Sequence, residues 1–146
     1  MTVKDDRVGF DELQRTIRTL DRTVLEVGIF GDESSEVLLY AMVHEFGAPR
    51  ANIPARSFIR AGFDHYQWQI TDRAVRLLQD VLSGKTSLDA YMDALGVYVV
   101  GRLQQYLIDL QTPPLKPATI RKKGSSNPLV DTGRMVQSIS YRVVSR

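Results

Sequence analysis

The chain has 146 residues, 43% apolar and 25% charged, and contains no cysteine. That is an ordinary globular composition, and it excludes a disulfide framework, a thiolate metal site and a cysteine nucleophile. The net charge of +2 is unevenly placed: from residue 113 onward Lys116, Arg121, Lys122, Lys123, Arg134, Arg142 and Arg146 face only Asp131, a local balance of +6 that leaves −4 for the first 112 residues.

Length predicts one domain over residues 1–146, able to bury roughly 68–70% of its unfolded surface without a metal or crosslink. Residues 1–8 read as a flexible start; they are charged and no apolar core follows, so they do not form a secretory signal. No apolar run is long enough for a bilayer. The expectation is a product made in the cytoplasm, with no membrane partner.

Phe10, Leu13, Ile17 and Leu20 recur at helical steps and predict a short amphipathic helix. Residues 23–30 are rich in β-branched types. They predict a strand with Leu25, Val27 and Ile29 on one face and Val24, Glu26 and Gly28 on the other, ended by a turn at Gly31-Asp32. Ser34 or Ser35 can cap the next helix. Leu39, Met42, Val43 and Phe46 form its apolar stripe, and Gly47 stands at a left-handed C-cap position. Pro49 and Pro54 then force extended backbone, and Ser57 can cap a further helix.

Ile59, Phe63, Tyr66, Ile70, Ala74, Leu77 and Val81 predict that helix to be long, ending near Gly84. Leu88, Met92, Leu95, Val99, Leu103, Tyr106 and Leu110 predict a second. A link of about five residues makes them antiparallel neighbours. Gly96 and Gly101 each weaken the second helix by roughly 0.5–1 kcal/mol; each either admits a close neighbour or is simply tolerated. Pro113-Pro114 stops the helix. Residues 113–128 read as a long basic loop, with one helical turn available at 118–123. Asp131 can cap a short turn through Val136, and Ile139, Tyr141 and Val143 alternate as a last strand, paired antiparallel with residues 23–30. The fold class is therefore α+β: a small antiparallel sheet packed against two long antiparallel helices, plus shorter helices. A two-stranded ribbon needs a cover.

The chain offers little to chemistry. His44-Glu45 opens like the zinc motif HExxH, but position 48 is alanine and His65 lies beyond two prolines. No nucleophile elbow, phosphate loop or dinucleotide fingerprint is present. Catalytic, cofactor and metal residues are expected to be none, and the chain not to be an enzyme. Arg121-Lys122-Lys123 can touch phosphate but lacks the aromatics that stack bases. A polyanion, an acidic neighbouring protein and a merely solvated basic loop all fit that charge.

Two strings are more specific. The first is His44-Glu45-Phe46-Gly47-Ala48-Pro49 followed by Ile53-Pro54-Ala55-Arg56-Ser57-Phe58-Ile59-Arg60; the second is Pro128-Leu129-Val130-Asp131-Thr132-Gly133-Arg134, closing on Ser138-Ile139-Ser140-Tyr141-Arg142-Val143-Val144. Read mechanically, Pro54 sets an extended entry, Phe58 anchors the loop to the core, Asp131 bonds backbone amides and Gly133 relieves a turn. Arg56 serves either as an internal brace or as an intersubunit contact. Together the strings resemble the tail-completion and virion-morphogenesis proteins (minor tail protein Z-like) at the head–tail neck of long-tailed bacteriophages. Ser57 departs from the pattern, since relatives often carry a second proline there.

The resemblance implies a structural virion protein, made in the host cytoplasm. It implies a ring of identical copies, commonly a hexamer, at the head-proximal end of the tail. Its partners would be the tail-tube protein, neck connector proteins and, nonspecifically, packaged DNA. On that reading the candidate contact residues are Arg56, Phe58, Arg60, Asp131 and Arg134, with Lys116, Arg121, Lys122 and Lys123 facing the DNA channel or an adjacent ring. The alternatives are a head-side adaptor or stopper of the neck, and a nonspecific DNA-binding accessory protein.

Overall fold

A helix passes into a strand without an intervening residue: α1 spans Arg7–Arg22 and β1 spans Thr23–Gly28. The Thr23 hydroxyl donates to the Thr19 carbonyl at 2.6 Å, which fixes that junction. The computed structural model describes residues 7–110, 117, 121 and 133–146. Apart from residues 117 and 121, both helical, the expected basic loop at 113–128 lies outside that set, as does most of the start expected to be flexible.

After β1 come α2 (Ser35–Phe46), a 3₁₀ turn (Pro49–Ala51), α3 (Ile59–Leu82), α4 (Leu88–Asp109), a short α5 (Arg134–Gln137) and β2 (Ser140–Ser145). β1 and β2 pair antiparallel, with Leu25 opposite Val143 and Val27 opposite Tyr141. The protein is α+β, as its periodicities predict. The strand is two residues shorter than expected, although Ile29 still packs on the core beyond its end. The last strand starts one residue later than its pattern suggests. Ile139 is buried just before it, and Val143, expected inward, is 42% exposed.

The core lies between α4, α3 and one face of the ribbon. Leu103 and Leu107 of α4 and Phe58 are its most deeply buried large side chains, and Met92, Leu95 and Val99 extend the row. α4 supplies the cover that a two-stranded ribbon requires. Ser87 caps it, its hydroxyl accepting from the Ala90 amide at 3.1 Å. The antiparallel crossing is tight at one end: a Cβ on Gly62, early in α3, would stand 3.0 Å from Leu103 Cδ2 and 3.2 Å from the Tyr106 ring, late in α4.

The two glycines of α4 resolve differently. A Cβ on Gly96 would meet Tyr141 Cγ at 2.6 Å, so the ribbon approaches α4 there closely enough to require glycine. Around Gly101 nothing lies within 4 Å, so it is merely tolerated.

α2 is rotated from its expected setting. Ser34 caps it, the hydroxyl accepting from the Val37 amide at 3.4 Å, as predicted. The buried residues, however, are Val37, Ala41 and Glu45. Leu39, Met42 and Phe46 of the predicted stripe face outward, Phe46 at 69% exposure. The reason is chemical: Glu45 has a task inside.

Candidate functional site

Glu45 organises the corner between α2 and α3. Its Oε2 accepts from the amides of Phe58 (2.8 Å) and Ile59 (3.0 Å), while Oε1 accepts from the Ser57 hydroxyl (2.7 Å) and the Arg60 amide (3.3 Å). Three amides with no carbonyl partner of their own in the first helical turn are thus satisfied by one carboxylate, at the end of α3 where the helix dipole favours negative charge. Burial opposes that charge, but the amides of Ile59, Phe58 and Arg60 and the Ser57 hydroxyl outweigh it and hold the carboxyl below its ordinary value. Ser57, expected to be the cap, takes a supporting part: it donates to Glu45, and its oxygen receives the Ala61 amide at 3.3 Å.

The loop from 47 to 57 is shaped to deliver α3 to that carboxylate. Gly47 ends α2 with φ 76° and ψ 169°, positive φ but more extended than a left-handed cap. A Cβ there would press on the Ala55 amide nitrogen at 2.9 Å. Ala48 and Ile53 exchange backbone hydrogen bonds around the 3₁₀ turn, at 2.9 and 3.1 Å, and the Arg56 amide donates to the His44 carbonyl at 2.6 Å. The first string is therefore a helix–loop–helix clamp.

Of the expected contact residues, Arg56, Phe58 and Arg60 are brought together at this corner, but not on one surface. Phe58 is a core residue, 1% exposed, and Arg56 is 6% exposed. Burial lowers the Arg56 guanidinium from its ordinary value, though an arginine stays charged. In the isolated subunit these two are buried rather than part of a surface. Arg60 is exposed. Arg134 is exposed at the start of α5 and pairs with Glu36 at the start of α2, 3.5 Å away. Gly133, with φ 71°, makes the turn before it. Asp131, Lys116, Lys122 and Lys123 lie outside the described residues; Arg121 is exposed.

What a pattern-based reading passes over is a trough beside Arg60. One hollow, about 340 Å³, is lined by Leu25, Val27, Ile59, Phe63 and Leu103, with Arg60 and Asp64 at its polar side. A second, about 450 Å³, is lined by Ile29, Leu38, Met42, Phe46 and Phe58, again with Ile59 and Arg60. Ile59 and Arg60 border both, so the hollows adjoin along the β1 strand. The Arg60 guanidinium forms no ion pair with a described residue.

The second unexpected surface is α1. Only Leu20 of its stripe packs on the core; Phe10 and Ile17 are 60% and 51% exposed, and Leu13 is exposed as well. Among the described residues, no group of three or more histidine and acidic side chains is placed to hold a metal, and no helix is long and apolar enough to cross a membrane. The searched family models, curated proteins and solved structures contain no match to this chain.

Proposed function

We propose that the chain is a structural virion protein which assembles as a ring of identical copies at the head-proximal end of a bacteriophage tail, completing the tail and joining it to the neck. The observation that carries this reading is the outward setting of apolar residues on α1 and α2, beside a trough at the β1 strand. Exposed apolar faces of this kind mark surfaces that a partner covers. In the first of the two strings Glu45 and Ser57 turn inward, to the backbone at the start of α3, which supports a rigid building element.

Both ribbon strands have one edge unpaired among the described residues, and such edges accept a neighbour's strand. In this proposal the ribbon edges and the trough meet adjacent copies. Arg121, with Lys116, Lys122 and Lys123, faces an adjacent ring or the DNA passing through it.

The test is localisation. Cryo-electron microscopy of phage particles should place the chain as a closed ring between tail tube and neck. Particles made without it should accumulate as filled heads and separate tails. Normal joined particles that lack the chain would overturn the reading, and so would tight, salt-sensitive binding of the isolated protein to free duplex DNA without any association with tails.

A further inference from the structure

We infer that α1 is an arm that seats in the trough of a second copy of this chain, with the Asp21 carboxylate reaching Arg60 of that copy. This deepens the ring assembly proposed above and rests on it.

Two unpartnered surfaces on one chain carry the inference. α1 is 16 residues long and touches its own subunit chiefly at the β1 junction. A helix of that length is marginal in water without packing on its apolar face. Phe10, Leu13 and Ile17 nevertheless face solvent. The trough is the reciprocal surface, concave and apolar, with Met42, Phe46, Ile59 and Phe63 along it.

Charge selects the pairing. Phe10, Leu13, Ile17 and Asp21 fall on one line of the helix, at steps of three, four and four. The line therefore ends in a carboxylate, and Asp21 is exposed and in no ion pair with a described residue. Arg60, at the border of both hollows and likewise in no ion pair with a described residue, is the matching cation.

Connectivity selects a second copy. α1 joins β1 with no linker, and the junction is held by Thr23 and by the Arg146 amide bonded to the Arg22 carbonyl at 2.7 Å. The larger hollow lies at the other end of β1, beyond Gly28, roughly 20 Å away at about 3.3 Å per strand residue. No residue of α1 lines either hollow, and a junction without a linker holds the arm in that setting, so the trough of its own subunit stays open to another copy.

The absence of cysteine makes the test clean. Full-length chains carrying Ile17→Cys are co-expressed with differently tagged chains carrying Met42→Cys and oxidised, with Val75→Cys replacing Met42→Cys as control. The expected product is a disulfide between the two tags, at least tenfold above the control pair. Asp21→Arg should weaken self-association at least tenfold by light scattering, and Arg60→Asp in the same chain should restore it; circular dichroism checks that each variant is folded. A disulfide formed within one chain carrying both cysteines overturns the inference, as does trapping of Ile17→Cys only with itself. Rings that form normally while the cross-tag disulfide is absent overturn the arm but leave ring assembly standing. A wild-type chain that stays monomeric, and is also absent from tails, overturns both.

Discussion

α4 and α2 are both predominantly apolar helices, yet they do opposite things with their apolar residues. α4 buries a continuous row from Met92 to Leu107, and Leu107 is fully inaccessible. α2 buries Val37, Ala41 and a glutamate, and gives Leu39, Met42 and Phe46 to the outside. The difference shows what periodicity measures. It finds a stripe that avoids water, but not whether the cover comes from the same chain or from another. In α4 the cover is α3 and the ribbon. On α2 the buried side is set by the Glu45 carboxylate, which accepts from the amides of Phe58, Ile59 and Arg60 at the entry to α3.

The sharpest way to break this comparison is to remove bulk from each helix in turn. Leu107→Ala empties a fully packed site and should cost about 2–5 kcal/mol, read as a fall in the urea midpoint at unchanged slope. A loss below about 1 kcal/mol would mean that the α3–α4 interface is not the core.

Next in size is Glu45→Gln. The amide keeps one acceptor for several donors and loses the charge, so about 1.5–3 kcal/mol should go at neutral pH. The direction with pH is fixed by the lowered carboxyl. A folded value below the unfolded one stabilises the fold fully above the unfolded value, near 4.5, and that stabilisation fades as pH falls through the folded value. Denaturant titrations from about pH 7 to about pH 3 should therefore show wild type and Glu45→Gln converging in acid. A gap that stays constant would mean the carboxylate charge contributes nothing to the clamp.

The two long helices are legible in the sequence because their stripes are long: of the apolar positions named from Ile59 to Val81 and from Leu88 to Leu110, Phe63 alone is exposed, at 48% and at the edge of the trough. The ribbon pairing is legible for a similar reason, since the β-branched runs at residues 23–30 and at the C-terminus have no other partners. α2 is not legible. Its twelve residues carry two rival lines, Leu39-Met42-Phe46 and Val37-Ala41-Glu45, and hydropathy ranks the first higher. A buried acid is visible only as its hydrogen bonds, which join residues 12 to 15 positions apart. The same limit applies to Arg56: its motif announces a constrained loop with Phe58 as the core anchor, which the fold bears out, but not that the arginine is buried as well. The trough has no local signature, because it is assembled from β1, α2, α3 and α4.

Gly96 and Gly101 sharpen the comparison inside α4 itself. Gly96→Ala drives a methyl into the Tyr141 ring, whose hydroxyl is held by Asp93 at 3.1 Å. Overpacking of that kind costs about 1–3 kcal/mol. Gly101→Ala meets nothing within 4 Å and should stabilise by about 0.5–1 kcal/mol through helix propensity. Thermal melts of the two variants should move in opposite directions. Equal shifts would mean that the ribbon does not rest on α4 at Gly96.

The smallest expected effect is the one that most directly separates core from docking surface. Met42→Ser and Phe46→Ser remove large apolar groups from α2, which by residue type alone would predict losses comparable to Leu107→Ala. Both side chains are already in water in the isolated subunit, at 61% and 69% exposure. Little transfer free energy is therefore at stake on folding, and the change in a dilute monomer should stay within about 0.5 kcal/mol. The same substitutions should lower self-association measured at high concentration, since there the apolar groups leave water only when another surface covers them. A large loss of monomer stability would place Leu39, Met42 and Phe46 in the subunit core after all. Unchanged stability with unchanged association would leave α2's outer face without a partner.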